Sequence, residues 1–528
     1  MRIINNDRLE PLFDTAATRA IEHAAQATLP HHALMARAGL AVARLAQALA
    51  PHARCIWVAC GPGNNGGDGL VAAMHLHAWA RQSGSALRVV VTHAADPARL
   101  PPDARQALVA AQVAGVAFHS SPPDEADLAI DALLGIGAIR PLRGPLAAWL
   151  ARLRTSAAPV LCVDLPSGLH ADTGGLTAIE HDGNDPAVAM RPGPRHTLSL
   201  LTLKPGLFTG QGRDASGQIW FDDLGAMPAA DVPVTALLAG RAAHAGAKAS
   251  MPHASHKGSF GDVVVVGGQG VATNGAGMTG AAVLAARAAL HAGAGRVFAG
   301  LLEAGSQSET TWDPVCPELM FRRPETGLDT ALLRRASVVC GCGGGAAVAA
   351  MLPRLLSSAT RLVLDADALN AIAQDANLQA QLTHRQRRGW ITVLTPHPLE
   401  AARLLGTDAA QVMIDRLQAA QTIAAQFGAI CVLKGSGTVI AAPNETTRIN
   451  PTGNAALATA GTGDVLAGMI GSALARPVSS SGAALDRVAS AVFQHGWLAD
   501  HWGDSEESKT GHRALVAGEL ALRARPVG

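Results

Sequence analysis

The 528-residue chain is 48% hydrophobic, and at about 100–200 residues per domain its length calls for more than one core. Lys and Arg total 42 against 41 Asp and Glu, a net charge of +1 that offers no field to a polyanion. Aromatics are only 3%, with no tyrosine, so base-stacking platforms are not available in number, and no nucleic acid partner is expected.

The opening stretch MRIINNDRLEPLF has acidic residues where a signal peptide carries a basic and then an apolar segment. No apolar run reaches the roughly 18 residues of a membrane span, so a cytoplasmic protein without membrane contact is expected. Leu34, Ala38, Val42, Leu45 and Leu49 recur at spacings of three and four, which predicts a helix with one packed face. The apolar runs CIWVAC (Cys55–Cys60), LRVVV (Leu87–Val91), LAID (Leu128–Asp131) and VLCVD (Val160–Asp164) alternate with Ala-rich helical segments. That pattern predicts an α/β unit, a Rossmann-like doubly wound sheet covered on both faces.

CIWVAC runs into GPGNNGGDGL (Gly61–Leu70), read as a strand, a glycine-rich turn and a helix beginning near Leu70. Backbone N–H groups in such a turn, with the positive end of a helix, make an anion site suited to pyrophosphate. The spacing is not G-x-G-x-x-G and no acidic residue ends LRVVV, which argues against a dehydrogenase. Asp131 and Asp164 each end a strand, where carboxylates point into the crevice of an open α/β sheet; an Asp there also serves as a helix cap or turn residue.

Regular alternation lapses around Met227–Met251, so a linker is placed at 226–244 between domains 1–225 and 245–528. It then restarts with DVVVVGG (Asp262–Gly268), RVFAGLL (Arg296–Leu302), SVVCG (Ser337–Gly341), RLVLDAD (Arg361–Asp367), ITVLTPH (Ile391–His397) and AICVLKG (Ala429–Gly435), six strands of a second α/β domain. The basic stretch HRQRR (His384–Arg388) reads as a solvated helix end. Seven cysteines from Cys55 to Cys431, odd in number, describe structural thiols in a reducing compartment rather than a disulfide framework. GTGD (Gly461–Asp464) opens an apolar helix, so its amides and dipole face a phosphoryl group while Asp464 stands at the same end, as a base or as a first-turn acid.

Taken together, NNGGDG, DALLGIG, VDLPSGL and LTLKPGLFTG (Leu201–Gly210) resemble the NAD(P)H-hydrate epimerase family over about residues 10–225. The resemblance implies substrate contacts at Asn64, Asn65, Gly66, Gly67, Asp68, Gly135, Ile136, Gly137, Ala138, Ile139, Arg140, Pro141 and the acid/base residue Asp164. It also implies a potassium ion held by Asn65, Asp131 and Ser167, an oxygen-only set with one full carboxylate that suits a hard cation. Ile136 stands where that family has Thr. HKGSFGDVVVVGG, LDADALN, LTPHPLEAARLL, VLKGSGTVI and NPTGNAALATAGTGDVLAGMIG resemble ADP-dependent NAD(P)H-hydrate dehydratases, which have a ribokinase-like fold, over about residues 245–525. This implies nucleotide contacts at Lys434, Gly435, Ser436, Gly437, Thr438 and Gly463, hydrate contacts at Ala281, Gly343, His397 and Asp464, and Asp464 as catalytic base. CGCGGG (Cys340–Gly345) departs from the Gly-Pro-Gly-Leu-Gly of that family.

The function implied is repair of hydrated nicotinamide cofactors. R- and S-NAD(P)HX are epimerised, and the S form is dehydrated with ADP as co-substrate and Mg²⁺ bridging phosphate oxygens. NADHX, NADPHX and ADP are the expected partners, and a homo-oligomer is expected. The rival reading is a ribokinase-like small-molecule kinase with a non-catalytic N-terminal nucleotide-binding module.

Overall fold

A computed structural model describes residues 1–137, 142–177, 193–229, 231–241, 253–271, 275–302, 311–478, 480–503 and 514–527. The chain divides into two compact units, residues 1–5 with 11–236 and residues 6–10 with 237–528. The division falls within the stretch expected as a linker, but that stretch contains the strand Ala236–Leu238. Residues 6–10, expected in the first domain, belong to the second unit. Five residues carry too little periodicity to reveal so distant an allegiance.

In the first unit the strands lie in the order Arg2–Ile3, Gln218–Asp222, Arg195–Leu200, Val160–Val163, Leu128–Ala132, Cys55–Cys60, Arg88–His93, Ala117–His119, and every pair is parallel except the one made by Arg2–Ile3. Numbered along the chain, the seven parallel strands run 3-2-1-4-5-6-7, the doubly wound order with one strand added. The order reverses between Cys55–Cys60 and Leu128–Ala132, so a crevice opens beyond their carboxyl ends. Within Cys55–Cys60, Ile56, Val58 and Cys60 join the core beneath the helices Ala33–Leu49 and Asn64–Ser83, while Trp57 and Ala59 face the helix Gly144–Thr155. This two-sided burial explains the unbroken apolar run.

The helix expected near Leu70 starts six residues earlier, at Asn64, so NNGGDG is its first turns and only Gly61–Gly63 forms the loop. Glycines cost a helix about 1 kcal/mol each relative to Ala, and here tertiary packing overrides that propensity. A Cβ on Gly66 would stand 2.0 Å from the Gly61 carbonyl oxygen, so only glycine permits the helix to seat against the loop.

In the second unit Met320–Phe321, Arg296–Leu301, Asp262–Gly267, Ser337–Cys340, Arg361–Leu364, Ile391–Leu394 and Ile430–Leu433 are parallel neighbours in that order. A hairpin of Val439–Ala441 and Thr447–Ile449 continues the sheet antiparallel. The chain order again reverses, between Asp262–Gly267 and Ser337–Cys340. Helices Thr279–His291, Thr462–Ala473 and Ser481–Asp500 close the core over one face of this sheet.

HRQRR is not a wholly solvated helix end. Arg385 is 1% exposed, and its guanidinium donates to Thr392 Oγ1 at 2.8 Å and to the carbonyls of Leu356 at 2.9 Å and Ala359 at 2.6 Å. Burial pushes its pKa down to about 9. A planar fork that satisfies several carbonyls at once can be buried where a charge run would otherwise be solvated.

Candidate functional site

The crevice of the first unit holds a cavity of about 250 Å³ lined by Asn64, Asn65, Asp68, Gly135, Ile136, Gly137 and Asp164, joined by Arg19, Glu22, Asp103 and Lys204. The loops after three strands therefore meet there. Gly66 and Gly67 pack behind the cavity, against Gly61 and Met35 respectively. Ala138, Ile139, Arg140 and Pro141 lie outside the described residues.

Asp164 has φ of 65°, the left-handed region, which costs a non-glycine residue about 1–3 kcal/mol and persists only where its surroundings over-determine it. Here the surroundings do so. Its N–H donates to the Leu198 carbonyl at 2.8 Å, and its Oδ1 accepts from the Leu200 N–H at 3.0 Å and from Lys204 Nζ. Oδ2 makes no hydrogen bond among the described residues, which leaves it for a ligand. Around this ion pair, desolvation and then the charge of Asp164 raise the pKa of Glu22, and the same two causes push Asp68 well above the carboxylate range. A carboxyl group bonded to a buried ammonium beside two acidic groups whose pKa values are shifted upward is an arrangement able to give and take protons.

Asp131 and Ser167 are buried together. Ser167 Oγ donates to Asp131 Oδ1 at 2.5 Å and its N–H to Oδ2 at 2.9 Å. Burial raises the pKa of Asp131, and these hydrogen bonds oppose it. Asn65 is buried beside Gly135, and its Nδ2 has no hydrogen-bond partner among the described residues. An orphaned amide end is satisfied when the amide turns its oxygen toward a cation. The donor set of Asn65, Asp131 and Ser167 thus fits a hard monovalent ion, which would supply a fixed positive charge beneath the crevice.

In the second unit Gly341–Gly345, Asp365, Thr395–His397 and Lys434 follow neighbouring parallel strands, at their carboxyl ends. The helix Thr462–Ala473 begins with Gly461 as N-cap, and Asp464 lies in its first turn. Ligating atoms of Cys342, Asp365 and Asp464 lie within 4.8 Å of one another. Asp365 accepts from Lys434 Nζ and Thr395 Oγ1, each at 2.7 Å. Burial, followed by the charge of Asp365, raises the Asp464 carboxyl to about 6. The cluster itself does not fit Mg²⁺, because the Cys342 thiol is pushed up by burial and Asp365 already has Lys434 as its counter-ion.

Two residues expected to contact ligands also have partners within the fold. Lys434, expected to aim its charge at phosphate, pairs with Asp365 at 2.7 Å and lies 3.9 Å from Glu400. A half-buried ammonium must find partners, and a strand-end carboxylate, Asp365, and a helix-start one, Glu400, supply them. His397 is the N-cap of the helix Pro398–Leu405, its ring accepting from the N–H groups of Leu399 and Glu400. Ala281 and Gly343 do stand together, since a Cβ on Gly343 would lie 2.8 Å from that of Ala281. Gly463 lies beside Lys434, with a built Cβ 3.5 Å from Nζ.

The loop Lys434–Thr438 rests on buried Arg416, whose guanidinium donates to the carbonyls of Leu433, Lys434 and Gly437 at 3.2–3.4 Å. Gly435, at φ of 137°, passes so close that a Cβ would stand 2.4 Å from Arg416 Nη1. Behind the Gly461–Asp464 turn, buried His495 places Nε2 2.9 Å from the Thr462 carbonyl, and burial lowers its pKa to about 4. A neutral ring donating from Nε2 pins the helix start.

Sequence reasoning left Lys204, Glu22, Asp365, Arg416 and His495 without a role. Asp365 ends a strand as Asp131 and Asp164 do and was open to the same argument. A lysine before a proline in a leucine-rich stretch, as in LTLKPG, was the signal for Lys204.

Residues 31–206 match the family described as YjeF-related protein N-terminus, and residues 263–517 match the family described as NAD(P)H-hydrate dehydratase. The bifunctional NAD(P)H-hydrate repair enzyme Nnr of Escherichia coli is 34% identical over 92% of this chain and 87% of its own length. The chain belongs to the bifunctional NAD(P)H-hydrate repair enzyme family. The ADP-dependent (S)-NAD(P)H-hydrate dehydratase of Neisseria meningitidis is 44% identical over 51% of this chain and 86% of its own. Among solved structures, the ADP/ATP-dependent NAD(P)H-hydrate dehydratase from Bacillus subtilis, co-crystallised with ATP/Mg²⁺, is 30% identical with a TM-score of 0.39, covering 51% of this chain and 90% of its own. No helix among the described residues is long and apolar enough to cross a membrane.

A carboxylate base works only when ionised, so a base role for Asp464 predicts that dehydration falls as pH drops through about 6. Measured as kcat/KM for the S epimer, the acid limb should move lower in Asp365→Asn, which removes a like charge.

Proposed function

We propose that the first unit interconverts R- and S-NAD(P)HX and that the second dehydrates the S epimer with ADP. The observation that carries this reading is a pair of carboxylate sites, one in each unit: Asp164 in the first unit's cavity, where the strand order reverses, and Asp464 at a helix start beside the strand-end Asp365. In the first, Asp164 begins the cycle as the protonated acid: it protonates the hydroxyl that leaves C6 as water, is left as a carboxylate facing Lys204, and regains its proton from the water that adds to the opposite face. Asn65, Asp131 and Ser167 hold potassium. Asn64, Asp68 and Gly135–Gly137 hold the nucleotide, with Ala138–Pro141 completing that contact.

In the second unit Asp464 takes the proton of the C6 hydroxyl as its oxygen attacks the β-phosphorus of ADP. The bond to AMP breaks, and the amides of Gly461–Gly463 stabilise charge on the transferring group. Phosphate then departs from C6 as C5 loses a proton, restoring the dihydropyridine ring. Lys434–Thr438 and Gly463 contact the nucleotide, with Lys434 held by Asp365, and Ala281, Gly343 and His397 contact the hydrate. Cytoplasmic residence is supported by the seven cysteines, all free and buried.

The test is stoichiometry. With S-NADHX and ADP, each NADH regenerated should be matched by one AMP and one phosphate. Turnover without nucleotide, or a stable phosphorylated product without NADH, would point to the kinase reading instead.

A further inference from the structure

We propose that Lys204 is the positioning residue that sets Asp164 for proton transfer, an inference that rests on reading the first unit as the epimerase. Lys204 is 1% exposed although it borders the cavity. An ammonium group has three N–H donors. Those of Lys204 meet Asp164 Oδ1, the Leu200 carbonyl at 2.7 Å and Ser199 Oγ at 3.5 Å. No donor is left for a substrate, so whatever Lys204 contributes passes through Asp164.

The chain is folded to make this contact. After the strand Arg195–Leu200, Leu201 takes φ of 67° and the Thr202 N–H returns to the Leu200 carbonyl at 2.7 Å, which carries Lys204 back over the end of its own strand. There it faces the neighbouring strand Val160–Val163, whose next residue is Asp164. With Oδ1 held by Lys204 and by the Leu200 N–H, the carboxylate can no longer rotate, and Oδ2 is the oxygen presented to the cavity. Glu22, Asp68 and Asp103 line the same cavity, and of these acidic groups Asp164 is the one that Lys204 holds.

The experiment follows R-to-S interconversion by the full-length protein without ADP, using separated NADHX epimers. Lys204→Met should lower kcat by about 10² or more while leaving KM nearly unchanged, since substrate contacts stay in place. Lys204→Arg, which restores a cation, should recover much of that rate. Asp164→Asn combined with Lys204→Met should be no slower than Asp164→Asn alone, because both act on one group.

A normal kcat in Lys204→Met, a loss confined to KM, or multiplied losses in the double variant would each overturn the proposal. So would failure of the first unit to fold in both Met and Arg variants, which makes the role structural. If Asp164→Asn itself interconverts the epimers normally, the epimerase reading of this site fails. If Asp164→Asn is inactive and Lys204→Met is not, only the role of Lys204 fails.

Discussion

Asp164→Asn is expected to stop consumption of the R epimer by about 10² to 10⁴-fold while S-NADHX is still dehydrated at the normal rate. The substitution is conservative in every respect but one. An asparagine oxygen can still accept from Lys204 and from the Leu200 N–H, and Asn tolerates the left-handed φ of 65° at least as well as Asp. The atom turned to the cavity becomes an NH₂ group, which cannot take a proton. Chromatographic separation of the two epimers over time checks the result, and undiminished R conversion would remove Asp164 from the chemistry.

Asp464→Asn is expected to lower ADP-dependent dehydration of S-NADHX by about 10² or more, with epimerisation untouched. Asp464 lies in the first turn of the helix Thr462–Ala473, where a negative charge gains about 0.3–1 kcal/mol from the helix dipole. Asn forfeits that gain and also relieves the repulsion from Asp365 that helps raise the carboxyl to about 6. Opposing electrostatic changes leave stability little altered, so lost turnover would report the missing base. Release of AMP with S-NADHX in excess is the readout.

Much of both sheets was legible because parallel strands buried on two faces read as continuous apolar runs: Cys55–Cys60 and Asp262–Gly267 are buried at every position. The strand Arg195–Leu200 was missed because Arg, His, Thr and Ser interrupt it, although Thr197 and Ser199 are fully buried with their hydroxyls bonded to carbonyls. The early turns of Asn64–Ser83 were missed for another reason. Gly66, Gly67 and Gly69 signal a loop, and only the tertiary contacts around Gly61 and Met35 explain glycine in a helix.

The site followed the same division. Asp131, Asp164 and Asp464 were visible because their placement at a strand end or helix start is local information. Lys204, His495 and Arg416 act on partners 40, 33 and 17 residues away, and nothing within a local window marks a lysine, histidine or arginine as the one that will be buried.

The most direct measurement supplies the purified chain with equal amounts of R- and S-NADHX and excess ADP, and follows the absorbance of the reduced nicotinamide ring. If one chain holds both activities, absorbance should rise to the value for the whole pool, whereas Asp164→Asn should stop near half on the same time scale. A wild-type trace that also stops at the S fraction, or one that proceeds without ADP, would contradict the account.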